Sequence, residues 1–298
     1  MHKYVSARTE PSMEPFSRQK KFMTVGDWEV AYVEAGKGKP LLLLHGCPFQ
    51  SYEWSAVLPL LEPYYHVIAP DLLGLGDTRV ALDDDYSLPK QAEMVVGLMD
   101  ALGIEQAFFV GHDHGAATLQ LMMQRYPERI AKAVLTNAEA YDQWPSSEER
   151  PYVAAVVNPL TSPLLHFALG FRWIQRLVFR SAVTDPKTLG KNVLRGFMRP
   201  HLASASRWQR LRRFFRGQLN PENNAETMKA VDGLRRFTRP VLMLWGGRDV
   251  HFGPAIAERL VQDIPGAVGV SYLEHSAHLP MLEEPDAYAN ALHAFFGG

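Results

Sequence analysis

The sequence predicts a doubly wound α/β sheet interrupted by a helical insertion. Three observations predict it. Short, uninterrupted apolar runs recur along the chain, each closed by glycine or polar residues. Amphipathic stretches with apolar residues three and four apart separate several of them. The alternation stops between about Ala140 and Arg235 and resumes at Pro240.

The apolar runs are Leu41–Leu44, Val67–Ala69, Ala107–Val110, Ala133–Leu135, Val241–Leu244 and Val268–Tyr272. Runs this short and apolar throughout read as strands buried on both faces of a mostly parallel sheet. Met94–Leu102 and Ala116–Arg125 are the clearest helical stretches, and the second is stopped by Tyr126–Pro127. The region 140–235 has no comparable run; it is rich in proline, arginine and tryptophan and reads as a helical cap inserted into a core formed by 21–139 and 236–298. Residues 1–20 (MHKYVSARTEPSMEPFSRQK) are polar and lack the apolar centre of a signal peptide, so they read as a loosely ordered arm.

Composition narrows the function classes. Of 298 residues, 47% are hydrophobic and 21% charged, an ordinary globular balance, and the net charge of −1 gives no global attraction to nucleic acid or an acidic membrane surface. A single cysteine, Cys47, excludes an internal disulfide. No apolar run approaches the roughly 20 residues of a membrane helix. The expectation is a soluble cytoplasmic monomer or homodimer whose partners are a small molecule and water, with no cofactor, nucleic acid or membrane.

Sheets of this kind place chemistry at the carboxyl ends of their strands, and three such ends stand out. Gly111-His112-Asp113-His114-Gly115 follows one strand and opens a helix, the strand–turn–helix context of the G-x-S-x-G nucleophile elbow with aspartate at its centre. A carboxylate is a poor choice for peptide or ordinary ester hydrolysis. It suits displacement at an sp³ carbon, forming an ester intermediate. Gly246-Gly247-Arg248-Asp249 follows Val241–Leu244, and His275-Ser276-Ala277-His278 follows Val268–Tyr272. The order nucleophile, acid, histidine is that of α/β-hydrolases. The histidine would take a proton from water while the acid fixes its tautomer. Glu139 rivals Asp249 as the acid, and His275 rivals His278 as the base. A fourth strand end, His45-Gly46-Cys47-Pro48, offers a backbone N–H that with that of His114 would form an oxyanion hole. His45, His112, His114 and Asp113 would also suit a metal, but the hydrolase reading already explains their location.

These elements resemble the α/β-hydrolase superfamily, and within it the aspartate-nucleophile branch of epoxide hydrolases and haloalkane dehalogenases. HGCPFQSYEW is similar to the branch's HG-x-P element, VGHDHGAA to its aspartate elbow and APDLLGLGDT to the segment after its fourth strand. LWGGRD resembles the acid loop, and SAHLPMLEEP the histidine loop. The resemblance runs from about Val25 to the C-terminus. It implies Asp113 as nucleophile, Asp249 as acid, His278 as base, and the backbones of Cys47 and His114 as oxyanion hole.

The leaving group depends on the cap. The residue after Asp113 is His114 where haloalkane dehalogenases carry tryptophan, and Cys47 stands where many carry a second halide donor. Fluoroacetate dehalogenases have arginines just after the nucleophile, where this chain has His114 and Ala117. Epoxide hydrolases use two cap tyrosines, and here Tyr141 and Tyr152 lie early in the cap, with His166 or His201 as substitutes. The expectation is therefore epoxide hydrolysis to a diol, with haloalkane or haloacid dehalogenation as the alternative and a non-catalytic small-molecule receptor as the alternative of another class. Candidate substrate-binding residues are His45, Trp144, Tyr141, Tyr152, His166 and Trp173. The late-cap arginines (Arg195, Arg199, Arg207, Arg210, Arg212, Arg213, Arg216) read as a solvated helix face.

Overall fold

A computed structural model of the chain describes residues 20–297. The arm expected over residues 1–20 therefore lies outside the described residues, apart from Lys20, which begins the first strand. Eight strands form one sheet: β1 (Lys20–Val25), β2 (Trp28–Ala35), β3 (Lys39–Leu44), β4 (Tyr65–Pro70), β5 (Ala107–Asp113), β6 (Ile130–Ala138), β7 (Val241–Gly246) and β8 (Ala267–Leu273). Their order is β1-β2-β4-β3-β5-β6-β7-β8. β2 runs antiparallel to β1 and β4, and every other neighbour is parallel.

All six apolar runs are strands; five sit between layers that bury most of both faces, whereas β8 is half-buried along most of its length. β3 from Leu41 to Leu44 and β5 throughout are buried. The hairpin β1–β2 has no such run. Its edge strand KKFMTV is largely open to solvent and mixes polar with apolar residues. A signal was present in Gly26-Asp27, a two-residue hairpin turn with Gly26 at φ 57°.

Helices α1 (Leu88–Ala101) and α2 (His114–Arg125) precede the cap; α9 (Pro254–Asp263) and α10 (Pro285–Phe296) follow it. Between Ala138 and Val241 the described residues contain no strand. They form α3 (Arg150–Val157), α4 (Ser162–Ala168), α5 (Arg172–Val178), α6 (Lys191–Leu202), α7 (Ala205–Gln218) and α8 (Pro221–Leu234). The last of these rests on the core: α8 packs along α2, with Gly233 against the side chain of Gln124.

The solvated-face reading of the arginines is overturned for Arg210, which is buried, and holds only in part for the half-buried Arg207 and Arg212. Arg210 is buried and donates to the carbonyls of Gly76 (3.0 Å) and Thr78 (2.8 Å). Arg207 reaches Asp77 at 2.8 Å, Arg213 the carbonyls of Asp83 and Asp84, and Arg212 that of Val157. The guanidinium fork suits the carbonyl-rich loop after β4, and it fastens α7 to the core. Arg195, Arg199 and Arg216 are exposed as expected. No helix among the described residues is long and apolar enough to cross a membrane.

Candidate active site

The site is built where β5 meets α2. Asp113 ends the strand at φ 50°, ψ −118°, a conformation that costs a non-glycine residue on the order of 1–3 kcal/mol and persists only when its surroundings enforce it. The enforcement is local. Register between β5 and β6 slips between His112 and Asp113, which turns the side chain out of the sheet. A Cβ on Gly115 would collide with the carbonyl oxygen of Leu44, and one on Gly46 would lie 2.7 Å from the Cβ of Asp113. Only glycines let β3, its loop and α2 close this tightly.

The two oxygens of Asp113 are unlike. Oδ1 accepts from the backbone N–H groups of Cys47 (2.7 Å) and His114 (2.5 Å). Oδ2 is buried, makes no hydrogen bond within the described residues, and lies 3.5 Å from His278 Nε2. Burial opposes ionisation of this carboxyl, but His278, His112 and the Cys47 N–H outweigh it and hold its pKa below the usual value. His278 Nδ1 lies 2.9 Å from Asp249 Oδ2. Burial disfavours the imidazolium, yet the Asp249 and Asp113 carboxylates raise its pKa well above the ordinary 6.5. Asp249 is fixed in turn by Asn137 Nδ2 (2.7 Å) and by the His251 N–H (2.8 Å).

Glu139, the rival acid, is elsewhere: it lies 2.8 Å from His114 Nδ1 and accepts from Asn223 at 3.0 Å. His275, the rival base, is exposed, and its carbonyl accepts from Thr184. The structure thus brings Asp113, His278, Asp249, Cys47 and His114 together.

Sequence reasoning missed several neighbours. Asn137, at φ 38° near the end of β6, ties β7 to Asp249 by also accepting from the Gly246 N–H. Its residue type was the available signal, since asparagine tolerates positive φ. Fully buried Glu53 lies 2.6 Å from His112 Nδ1 and accepts from the Gly46 N–H at 2.9 Å, while His112 Nε2 lies 2.8 Å from the carbonyl of His278. Both histidines flanking Asp113 are therefore held by buried glutamates.

A cavity of about 70 Å³ lies between core and cap. Its core wall is Cys47, Pro48, Phe49, His251 and His278; its cap wall includes Trp144, Glu149, Tyr152, Val153, Phe179 and Phe215. Of the six substrate-binding candidates, Trp144 and Tyr152 line it. Trp144 Nε1 is committed to Gln218 (2.8 Å), whereas the buried Tyr152 hydroxyl finds no partner among the described residues. The other four are placed away from it. His45 holds the loop beneath, accepting from the Leu72 N–H at Nε2 and facing the Gly46 carbonyl with Nδ1. Tyr141 donates to Asp263, His166 stacks on Trp208, and Trp173 is exposed. His201, a possible substitute donor, is tied to the carbonyl of Pro48. The Cys47 thiol lines the cavity, but burial, with Asp113 nearby, pushes its pKa up, so it is a neutral wall atom. No group of three or more His, Cys, Asp or Glu among the described residues is arranged to hold a metal.

Glu149, which the sequence did not single out, faces the same cavity. Ser146 donates to its Oε2 at 2.9 Å, and its Oε1 lies 3.6 Å from His251 Nδ1. Burial and the negative charges of Asp113 and Asp249 push its pKa up to about 8, against the opposing pull of His278 and Ser146. His251 is neutral at pH 7: burial and His278 lower its pKa to about 4.

Comparison with known proteins agrees with this architecture. Haloalkane dehalogenase 2 of Mycobacterium tuberculosis is 24% identical over 291 residues, covering 97% of this chain and 98% of that protein. The haloalkane dehalogenase DbeA of Bradyrhizobium elkani superposes with a TM-score of 0.78 at 23% identity, covering 94% and 97% of the two chains. A serine hydrolase of Cycloclasticus zankles superposes at 0.75 with 21% identity, covering 94% and 98%. These structural likenesses speak to the fold alone. The family model for the alpha/beta hydrolase fold matches residues 39–285, from β3 past the His278 loop, and this chain belongs to that family.

Proposed function

We propose that the chain hydrolyses a small epoxide to a diol through an ester on Asp113. The observation that carries the reading is the asymmetry of the Asp113 carboxylate. One oxygen is saturated by two backbone N–H groups; the other is bare, beside the imidazole held by Asp249. In this reading Oδ2 attacks an sp³ carbon, a new C–O ester bond forms, and the bond to the leaving group breaks with its electron pair. His278 Nε2 then takes a proton from water, and the hydroxide adds to the ester carbon. The resulting oxyanion forms on Oδ1, where the Cys47 and His114 N–H groups already point. Collapse releases the product alkoxide, which recovers the proton from His278.

The cavity wall favours an oxygen leaving group over a halide. A departing halide is best met by N–H donors. Yet the indole of Trp144 is bonded to Gln218, and His114 does not line the cavity. A departing oxygen wants an O–H donor, and the unpartnered Tyr152 hydroxyl lies in the wall. The second reading, dehalogenation with the same residues, is favoured by the names of the relatives.

The test uses His278→Ala, in which the ester should form but persist. The variant is incubated with pooled small epoxides and haloalkanes, its intact mass recorded and the modified peptide mapped. An epoxide adds its whole mass to Asp113; a haloalkane adds its mass less that of the hydrogen halide. The second adduct alone would replace epoxide opening by dehalogenation, and no adduct from either pool would refute an Asp113 ester.

A further inference from the structure

Opening an epoxide places a full negative charge on the departing oxygen, and an alkoxide is far too basic to leave unprotonated at neutral pH. Tyr152 can hydrogen-bond that oxygen, but burial raises the pKa of its phenol above the ordinary value, making it a reluctant proton donor. Glu149 stands in the same wall, just before α3, with its side chain 19% exposed. Among the described residues no lysine or arginine pairs with it. Ser146 occupies Oε2, which leaves Oε1 to carry a proton on the side of His251.

We propose that Glu149 is the catalytic acid of the first half-reaction, its neutral carboxyl protonating the leaving oxygen while the Tyr152 hydroxyl steadies it. The inference rests on the Asp113-ester reading and adds to it the source of the proton. The step balances. Asp113 Oδ2 bonds to the epoxide carbon, the C–O bond breaks toward oxygen, that oxygen takes the Glu149 proton, and Glu149 is left as carboxylate. Hydrolysis of the ester by water yields the diol and the acid form of Asp113, whose proton restores Glu149, so the sum is epoxide plus water to diol.

The groups around Glu149 keep its proton in place from every side. Asp113 at the end of β5 and Asp249 after β7 disfavour a third negative charge, while His278 after β8 favours one. His251, also after β7, is neutral at pH 7 and adds no compensating charge. Cys47 after β3 is a neutral thiol, and the buried Tyr152 a neutral phenol. A carboxyl with a pKa near 8 is protonated at pH 7 and acidic enough to release its proton to an alkoxide, the match that general acid catalysis needs.

The experiment measures the rate of adduct formation on Asp113 by intact mass, in the His278→Ala background, with styrene oxide and 1,2-epoxybutane from pH 6 to 10. With Glu149 present, the rate should fall as pH rises through the point where the donor is lost, which removal of the His278 charge moves above its value of about 8 in the parent. Adding Glu149→Gln, which keeps the shape and the Ser146 contact, should slow alkylation by on the order of 10²-fold and abolish that pH limb; Glu149→Asp should restore part of both. Alkylation equally fast with Glu149→Gln, or a rate flat from pH 6 to 10 with Glu149 present, would overturn the inference and leave the Asp113 ester intact. The second measurement needs no substitution at 149, so it decides the matter even if that variant folds poorly. No adduct with Glu149 present would instead overturn the Asp113-ester reading, and this inference with it.

Discussion

Replacing Glu53 by alanine should cost stability well beyond a surface substitution, although Glu53 lines no part of the cavity. Its side chain is fully buried, with Oε1 2.6 Å from His112 Nδ1 and Oε2 accepting from the Gly46 N–H at 2.9 Å. Truncation leaves both nitrogens buried without a partner. Each such loss costs about 1–3 kcal/mol, so the two together should cost on the order of 2–6 kcal/mol. At roughly 2–4 °C per kcal/mol for a large domain, the melting temperature should drop by on the order of 10 °C. Glu53→Gln keeps an acceptor for Gly46 and should lose about half as much. Urea denaturation followed by tryptophan fluorescence, with calorimetry beside it, measures both. The damage should extend to function, since Gly46 precedes the Cys47 N–H that grips Asp113, and His112 braces the His278 carbonyl. A Glu53→Ala protein within 0.5 kcal/mol of the parent would refute the view that this pair holds the elbow.

Two further outcomes follow from the site. Asp249→Asn should lower turnover by about 10⁴-fold with little change in melting temperature, because an amide cannot enforce the Nδ1-protonated tautomer of His278; the kcat of the purified variant on its best substrate checks this. Glu149 should make the parent protein less stable as pH rises. Its carboxyl titrates near 4.5 when unfolded and near 8 when folded, so the unfolded state loses its proton first. The stability given up grows between those values and is constant above them. Glu149→Gln removes that slope and should exceed the parent above pH 8 by up to roughly 4 kcal/mol, while matching it near pH 4.5. Parallel pH-dependent melting curves for the two proteins would contradict the buried, protonated carboxyl.

The sheet was legible because five of its strands are largely buried on both faces, and two-sided burial leaves an unmistakable apolar run. The edge hairpin was not, since one-sided exposure dilutes the run in KKFMTV. The candidate site was legible for a related reason. Asp113, Asp249 and His278 follow strand ends, the first two in turns marked by glycines, so their positions could be read without knowing which side chains would meet. The supporting groups carry no such mark. Glu53 and Asn137 act across 59 and 112 residues of sequence, and only the closed sheet sets them beside His112 and Asp249. The cap was the least legible part. Tyr141 and Tyr152 are equivalent in sequence, yet one is turned to Asp263 and the other into the cavity. The arginines of α7 look like a solvated stripe until the carbonyls of Gly76 and Thr78 are found beneath them.

The division of labour among the site's acids follows from what each one faces. Asp113 and Asp249 share His278 and have backbone or amide donors, so their charged forms are stabilised despite burial. Glu139 has His114 and Asn223 but no share of His278, and its pKa is raised. Glu149 has a serine hydroxyl and the partial pull of His278, but burial and the charges of Asp113 and Asp249 outweigh them. The groups around His278 therefore include two carboxyls held in the charged form and one, Glu149, held neutral. A reaction that needs only a nucleophile and a base leaves Glu149 without a purpose, and its burial would be a net cost. A reaction whose leaving atom is oxygen gives it one. Under the proposed reading, the protonation state of Glu149, more than the Asp113 elbow common to both readings, is what separates epoxide opening from dehalogenation.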